Sequence, residues 1–462
     1  MVRWFAHPLP GGRLEDTLRA SPRGTNANSD VLALFKDSGQ VVALPAAQSA
    51  NGEIIFPFFP AASLNYHSEF EAYTAELQHI WESERHAVIA GGRFQSGRFD
   101  TAATVSDFAI NGAAGNFGGV PTTNLFGPSS LGASGATNDF VSHLERWSAY
   151  GYYQFKILAP LQLTAGLSYD WLNYPENFRD PPISKGQRKT DRISPKAGLI
   201  WTPSRFTTLR GAYSQALGGV SFDQSFRLEP SQVGGFNQAF RSLIPEPVVG
   251  AVSAPRFETW GVALDQKFDT GTYIGIEADL RHSKAKRDLG VFDLNATAFP
   301  LQSTASVVRE NLNYYERDLL VSINQLVAND FSFGARYRLS DSNLKRQLPS
   351  IPSAVTQTAA TDVSATLHQL SLFALFNHPS GWFSSLESAW WAQDNRHYEP
   401  SLRGDDFWQF NALVGYRFPR RRAELTLGLL NITDQDYRLN PLSLTAELPR
   451  GRTLVANFRF NF

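Results

Sequence analysis

Across most of this chain apolar and polar residues alternate one by one, and the charges keep to a single parity. Leu161, Leu163, Ala165, Leu167, Tyr169 and Trp171 alternate with Gln162, Thr164, Gly166, Ser168 and Asp170. Ile274, Ile276, Ala278 and Leu280 alternate with Glu277, Asp279 and Arg281. Phe331, Phe333, Ala335, Tyr337 and Leu339 alternate with Ser332, Gly334, Arg336, Arg338 and Ser340. Successive side chains of a strand point to opposite faces, so each segment has one greasy face and one polar face. A helix needs apolar residues three and four apart, and these segments lack that pattern. The chain ends in the same way. Leu454, Ala456, Phe458, Phe460 and Phe462 lie on one side of the last segment, with Thr453, Val455, Asn457, Arg459 and Asn461 on the other. A strand with this character at the very end suits the closing strand of a transmembrane β-barrel, with lipid outside and water inside.

Composition fits that reading. The 462 residues would make several soluble domains but only one large barrel. Hydrophobic residues at 42% and charged residues at 18% exclude ordinary disorder. Aromatic residues reach 13%, enough for girdles at two membrane interfaces. Cysteine is absent, so no disulfide framework and no thiolate metal site is expected. A net charge of -1 gives no field for nucleic acid, and no nucleic-acid partner is expected. No run of about 18 apolar residues occurs, so no helix is expected to span a bilayer. The start, Met1 to Phe5, has no basic region, apolar run or cleavage site of a secretory signal. The chain is accordingly read as mature, incomplete or truncated.

Connections form the second regularity. Short turns are expected near Ser83–Glu84, Ala159–Pro160, Pro203–Ser204, Asp269–Gly271, Ala328–Asp330, His378–Gly381 and Pro419–Arg421. Between them fall long links at 97–143, 175–191, 218–255, 284–311, 342–362, 395–405 and 433–451, rich in Gly, Pro, Asn, Ser and Asp. Strict alternation of short and long is the habit of outer-membrane barrels. Strands are expected at 69–81, 85–96, 144–158, 161–174, 192–203, 205–217, 256–268, 271–283, 312–327, 329–341, 363–378, 380–394, 406–418, 421–432 and 452–462. Residues 40–57 and 30–37 are candidates for more. The fold class is therefore all-β, a transmembrane antiparallel β-barrel of about 16 strands. Trp382 and Trp390 share one parity of one strand, roughly 20 Å apart along the membrane normal, which suits two aromatic belts.

Three stretches resemble a known family. Gly428-Leu429-Leu430-Asn431-Ile432-Thr433-Asp434-Gln435-Asp436-Tyr437 is similar to the penultimate-strand signature G-x-x-N-[LI]-x-D-x-x-Y of TonB-dependent outer-membrane receptors. Gly451-Arg452-Thr453 and the strand ending in Phe462 resemble that family's closing segment. Arg192 to Pro203, followed by Thr208 to Ser214, resembles its mid-barrel hairpin, and Arg256 to Val262 its next strand. The resemblance implies energised import through a barrel of the bacterial outer membrane, usually 22-stranded, with an N-terminal plug. No plug of the usual size is read in residues 1–60, so the chain looks like the C-terminal barrel portion of a receptor with its plug absent: a fragment, a split gene product or a relative that dispensed with gating, with an incomplete 22-stranded barrel as the alternative to a 16-stranded one. Residues 1–60 are taken as a remnant or irregular segment and 61–462 as the barrel. The family's usual ending makes Phe458, Phe460 and Phe462 the expected signal for the barrel assembly machinery.

Few residues suggest chemistry. Histidines 7, 67, 79, 86, 143, 282, 368, 378 and 397 are scattered, without an H-E-x-x-H or a close His/Asp cluster. Asp405-Asp406 at a loop end reads as a solvated tip, with calcium or a ferric ligand the sharper alternative. No Gly-x-Ser-x-Gly elbow occurs. The Gly91-Gly92 and Gly218-Gly219 pairs are expected at bulges or where a strand gives way to a loop. Lys284-Ala285-Lys286-Arg287 opens a long link and is a candidate for lipopolysaccharide phosphates; Arg420-Arg421-Arg422 is a solvated turn. Arg336, Arg338, Arg281, Glu277 and Asp279 either line a passage or pair with one another. No catalytic residue, metal or cofactor is expected, and no ligand-binding residue is singled out. Expected partners are outer-membrane lipid and lipopolysaccharide, the assembly machinery, and the TonB system only where a plug is supplied upstream. The functional expectation is uptake of a scarce solute such as a metal chelate or glycan. A general diffusion porin with an inward constriction loop is the alternative, and a barrel enzyme the second.

Overall fold

The computed structural model describes residues 60–110, 136–178, 183–219, 227–238, 254–295, 302–351, 359–398, 401, 403–437 and 451–460. Short strands at Thr17–Arg19, Leu32–Asp37, Gln40–Val41, Ala47–Gln48, Ile54–Ile55, Asn116–Phe117 and Val120–Pro121 complete the description. Long strands follow in chain order: β1 (Pro60–Glu82), β2 (His86–Ile110), β3 (Ala136–Leu158), β4 (Leu161–Asn177), β5 (Ser184–Ser204), β6 (Thr207–Leu217), β7 (Arg256–Lys267) and β8 (Thr272–Asn295). They continue as β9 (Gln302–Val327), β10 (Phe331–Gln347), β11 (Ala360–Asn377), β12 (Trp382–Arg396), β13 (Asp406–Arg417), β14 (Ala423–Leu430) and β15 (Thr453–Phe460). Each pairs antiparallel with the next, an up-and-down meander.

The sheet has 18 strands in all. The other three are short. Thr17–Arg19 lies against the far end of β1, Leu32–Asp37 runs parallel to Val291–Asn295 of β8, and Gln40–Val41 pairs with Leu32–Asp37. Of the candidate strands at 30–37 and 40–57, only Leu32–Asp37, Gln40–Val41, Ala47–Gln48 and Ile54–Ile55 lie among the described residues; the first two join the sheet but not the antiparallel meander. A meander leaves no place for a parallel one, and Ala47–Gln48 pairs only with Ile54–Ile55.

The burial pattern is inside out. Leu163, Leu167 and Tyr169 of β4 are exposed, while Thr164, Ser168 and Asp170 between them are buried. A water-soluble sheet would show the reverse. The exposed set sorts by height. Near the short turns stand Trp81, Tyr153, Trp201, Tyr273, Phe331 and Trp382; farther along stand Tyr73, Trp147, Tyr169, Trp260, Tyr315 and Trp408. Between the two rows the exposed residues are aliphatic, among them Leu77, Leu199, Val262, Ile276, Ile323, Val321 and Leu427. That is an apolar band between aromatic belts. Trp382 and Trp390 occupy the two belts as expected. Trp382 packs on Tyr416 at 5.1 Å, and the half-buried Trp390 donates its indole N–H to Asp406 Oδ1 at 2.7 Å.

Every expected short turn is found, one of them displaced by two residues to Arg205–Phe206. Phe268 to Gly271 and His378 to Gly381 close with a hydrogen bond from the glycine N–H to the carbonyl three residues earlier, at 3.1 and 3.0 Å. Both glycines have positive φ, 76° and 105°, which only glycine adopts without strain.

The long links differ from expectation. The pair β8–β9 stays in unbroken register from Thr272↔Gln325 to Asn295↔Gln302, so most of 284–311 is strand. β2 likewise runs to Ile110 and β3 begins at Ala136. Above the apolar band both faces of a strand meet polar surroundings, and hydropathy alternation stops marking it. The backbone ladder goes on, because each buried N–H and C=O still needs a partner. The inner face is also not polar throughout. Toward the far end it carries an apolar layer of Phe257, Ala285, Leu312, Tyr314, Leu344, Ala365 and Leu367, with a second of Phe99, Leu144, Leu172, Tyr174, Phe178 and Leu217.

Closure is the other departure. Among the described residues β15 pairs only with β14, and β1 finds Thr17–Arg19 and β2 but not β15. The cylinder expected from the sequence is here an open sheet with two edges. Phe458 and Phe460 are exposed on one of these edges; Phe462 lies outside the described residues.

Candidate functional site: the inner wall and the loop seated on it

Polar residues of the inner face meet in pairs. Arg146 of β3 binds Asp170 of β4 at 2.7 Å, both side chains almost wholly buried, and adds a bond to the Leu217 carbonyl at 3.0 Å. Ser148 donates to the same carboxylate at 2.6 Å. Arg210 of β6 reaches Asp265 at 2.9 Å and Glu277 at 3.4 Å. Arg281 of β8 is held by Asp279 at 3.0 Å, by Glu316 at 2.6 Å and by Asp318. Tyr314 and Ser340 hydrogen-bond the last two acids in turn. Of the residues expected to line a passage, Arg281, Glu277 and Asp279 are therefore engaged with one another's neighbours, while Arg336 stays exposed on the inner face.

A loop covers part of this wall. Residues 227–238, from the long link between β6 and β7, fold back onto the inner face and end in a two-strand hairpin, Gln232–Val233 with Phe236–Asn237. Its tip is Gly234-Gly235 with φ of +56° and +83°, a two-residue turn that needs glycine at both positions. Its seat on the wall is made of glycine too. A Cβ on Gly198 of β5 would stand 2.5 Å from the Gly234 nitrogen, and one on Gly261 of β7 would stand 2.5 Å from the Phe236 ring. Val233 and Phe236 are buried there. Arg210 donates to the Gly235 carbonyl at 3.1 Å and lies 5.2 Å from the Phe236 ring centre.

Glu229 fastens the loop's other end. Its Oε1 accepts from Lys196 Nζ at 2.5 Å and from the Tyr152 hydroxyl at 2.6 Å. Its backbone N–H donates to Glu76 at 3.2 Å, and Gln78 donates to the Leu228 carbonyl at 2.5 Å. The sequence held a signal for this hairpin, Val233-Gly234-Gly235-Phe236, which the division into strands and long links passed over.

At the rim, above the apolar band, a second cluster forms. Arg188 of β5 binds Asp288 at 2.9 Å and also Glu176, and Arg309 binds Asp288 at 3.0 Å. A cavity of about 490 Å³ opens there, lined by Glu176, Asp288, Val307, Arg309, Pro349 and Ser350. Burial pushes the Asp288 carboxyl up, Arg188 pulls it back, and the neighbouring Glu176 pushes it up again, to about 6. Glu310 behaves in the opposite sense. Burial works against its charge, but Arg287 and Arg346 hold it below the usual carboxylate range. Arg287 is thus committed to Glu310 at 2.7 Å, and the run Lys284 to Arg287 lies inside β8, not at a loop opening; Lys284 and Lys286 remain exposed.

Other singled-out residues turn out to be structural. Asp406 starts β13 and holds the Trp390 indole, and the Asp405 carbonyl accepts from Gln393 N–H at 2.8 Å, so neither is a free tip. Gly91 is not at a bulge: the register is unbroken there, and a Cβ would meet the Tyr150 ring at 2.5 Å. Gly218 sits against Pro255 and Phe257 where the strand gives way to the loop. Among the described residues no group of three or more His, Asp or Glu is placed to hold a metal ion.

The signature around Asn431 acquires a physical reason. Asn431 has φ +49°, and its amide accepts from Gln435 N–H at 2.9 Å and donates to the Gln435 carbonyl at 3.0 Å. Its own N–H donates to Asn411 Oδ1 at 3.0 Å. Asp434 Oδ1 accepts from Arg452 N–H at 2.6 Å, and Tyr437 stacks on Phe407 at 5.0 Å. The motif ties the end of β14 to the start of β15 and to β13. Asparagine and aspartate suit it because both close local loops and tolerate left-handed backbone.

Comparison with known proteins agrees. Residues 48–246 match the family described as TonB dependent receptor-like, beta-barrel. No curated protein matches the sequence. The ferric yersiniabactin uptake receptor FyuA from Yersinia pestis shares the fold with a TM-score of 0.51 at 11% identity, over 88% of this chain and 57% of that one. The siderophore receptor PirA from Acinetobacter baumannii gives 0.49 at 13%, over 91% and 58%. The copper transporter OprC gives 0.48 at 13%, over 88% and 61%. The chain thus spans less than two thirds of each of these solved structures. Its long antiparallel strands form one large sheet, and residues 48–246 of the chain match the β-barrel family of TonB-dependent receptors.

Proposed function

We propose that this chain forms the wall of an outer-membrane receptor that takes up a scarce solute. The observation that carries the reading is the family match over residues 48–246 on a sheet whose lipid-type face and ion-paired inner face belong to the same strands. Long extracellular strand ends and links bind the solute, and the inner wall gives it passage. A metal chelate is the first class to test, and a glycan the second. Lys284 and Lys286 of β8, with Arg256 of β7 beside Lys284, form an exposed basic strip above the apolar band. That is where lipopolysaccharide phosphates would sit. Energy from the TonB system reaches such a wall only through a plug, and Phe458, Phe460 and Phe462 serve the assembly machinery.

The test is uptake of labelled ferric chelates and oligosaccharides by cells with and without the chain. Uptake that disappears with the chain and returns on complementation supports the reading. Equal uptake for every chelate and glycan, with the chain verified in the outer membrane, overturns it. A second reading has one observation in its favour. An inward-folded loop is what a diffusion porin uses to narrow its channel, and steady ion conductance in planar bilayers without an energising partner would select it.

A further inference from the structure

We propose that Lys196, Tyr152 and Ser168 form a carboxylate-binding site on the inner wall, which Glu229 of the chain's own loop occupies as an internal ligand, and that a dicarboxylate solute releases the loop by taking its place.

The donors converge on one oxygen. Lys196 Nζ and the Tyr152 hydroxyl both reach Glu229 Oε1. Ser168 orients the lysine by accepting from Nζ at 3.1 Å, and Gln238 orients the phenol by donating to its oxygen at 3.1 Å. Lys196 is only 3% exposed. A buried ammonium needs an anion, so the wall has built this position for a carboxylate whether or not the loop supplies it. Positive capacity is left over. Arg227 Nη1 stands 3.8 Å from the other oxygen, and its Nε and Nη2 are buried without a hydrogen-bond partner among the described residues. Glu76, which accepts from the Glu229 N–H, is the acid facing the site from β1, so Lys196 and Arg227 balance two carboxylates while Glu229 is in place and carry one surplus positive charge once it leaves.

The loop's attachment is of a kind that exchanges. Its hairpin pairs with itself, not with a wall strand, and rests on glycines. Among the described residues its holds beyond the Glu229 carboxylate include single hydrogen bonds through Leu228, the Glu229 N–H, Gly235 and Gln238, and the apolar side chains of Val233 and Phe236. An incoming carboxylate that satisfies Lys196 and Tyr152 equally well removes the strongest of these holds.

The chain has no cysteine, so a single Ser231→Cys variant accepts one nitroxide label, at an exposed position beside the hairpin. The full chain is labelled in lipid bilayers and titrated with glutarate, with glutaramide as the uncharged control. The expected result is an immobile label that becomes mobile with glutarate, saturably, at a concentration at least about tenfold below any effect of glutaramide, since two charge-assisted bonds are at stake. Glu229→Gln makes the label mobile from the start. Lys196→Met or Lys196→Gln abolishes the saturable response, and either one that keeps heat-resistant β-structure serves. Equal release by glutaramide, or a label that stays immobile in Glu229→Gln, overturns the proposal. This readout needs no uptake, so it succeeds or fails apart from the receptor reading.

Discussion

The inner faces of β3–β9 and of β11–β13 belong to one wall and are furnished differently. The first carries Arg146 with Asp170, Lys196 with Glu229, Arg210 with Asp265, and Arg281 among three acids. The second presents Gln369, Ser371, Gln393, Gln409 and Asn411, with Glu387 exposed and accepting from Asn411 at 3.3 Å. The loop sits on the charged half. The difference teaches that charge and cover go together. A cation at a few per cent exposure is tolerable only where an acid lies against it, and the loop brings Glu229 to the lysine that the wall leaves without one. The neutral half carries amides and hydroxyls; even there Gln393 Oε1 is buried without a hydrogen-bond partner among the described residues, a far smaller cost than a stranded charge.

Breaking a pair should therefore cost far more on the charged half. Arg146→Ala strands Asp170 in a buried position and is expected to lower stability by about 3–5 kcal/mol. Gln393→Ala on the neutral half should cost about 1 kcal/mol. Urea midpoints of the two variants in lipid measure both, and equal shifts would erase the contrast. Next in size is the outer face, where the two halves should behave alike. Ile323→Arg, in the apolar band of β9, is expected to cost about 2–4 kcal/mol, and Ser322→Arg, on the inner face beside it, less than about 1 kcal/mol. Comparable losses at both positions would mean that the band does not face lipid.

The loop's seat gives a subtler comparison. Gly198→Val puts a side chain where the Gly234 nitrogen lies, and should unseat the hairpin without opening the wall. Trypsin cleavage after Arg227 should then speed up several-fold. Gly151→Val, whose Cβ meets nothing within 4 Å, should leave the cleavage rate unchanged. If both variants cleave alike, the glycine bed is not what holds the loop.

The wall was legible in the sequence because lipid and water impose a strict two-residue rhythm where strands cross the band. Leu163 to Tyr169 and Phe331 to Tyr337 kept that rhythm, and the turns at Gly271 and Gly381 carried their own signals. Strand ends above the band were not legible, since Lys284 to Asn295 and Gln302 to Asn311 face polar surroundings on both sides and only the backbone ladder holds them. Ion partners were half visible. Parity placed Asp279 and Arg281 on the inner face, but no local spacing links Arg146 to Asp170 or Lys196 to Glu229. The seat of the loop was the least legible part. Gly198, Gly261 and Gly234 are far apart in sequence, and a glycine in a strand looks the same whether it marks a bulge or a bed for another segment.

The smallest expected effect is at the rim, where solvent has access to both halves of the comparison. The Asp288 carboxyl rises from an ordinary 3.8 to about 6 in the fold, chiefly because it is buried and then because Glu176 lies beside it. A raised acid keeps its proton in the folded chain while the unfolded chain has already lost it. Its contribution is therefore complete below about pH 4, falls as pH rises through the window from 3.8 to about 6, and stays lost above it. Arg188 already holds the carboxyl down to about 6, and Arg309 on its other side is well exposed, so solvent screens part of the loss. Protection factors of the amides around Asn177 and Asp288, taken relative to intrinsic exchange at each pH, should fall between pH 4 and pH 7, and Asp288→Asn should flatten that dependence. The ion pair of Lys345 with Asp362 at 3.0 Å, about half exposed on both sides, has burial too slight to set such a slope, so exchange around it should not follow the same window. A shared pH profile at both places would mean that the rim titrates as one surface, and that the buried Asp288–Glu176 contact is not the cause.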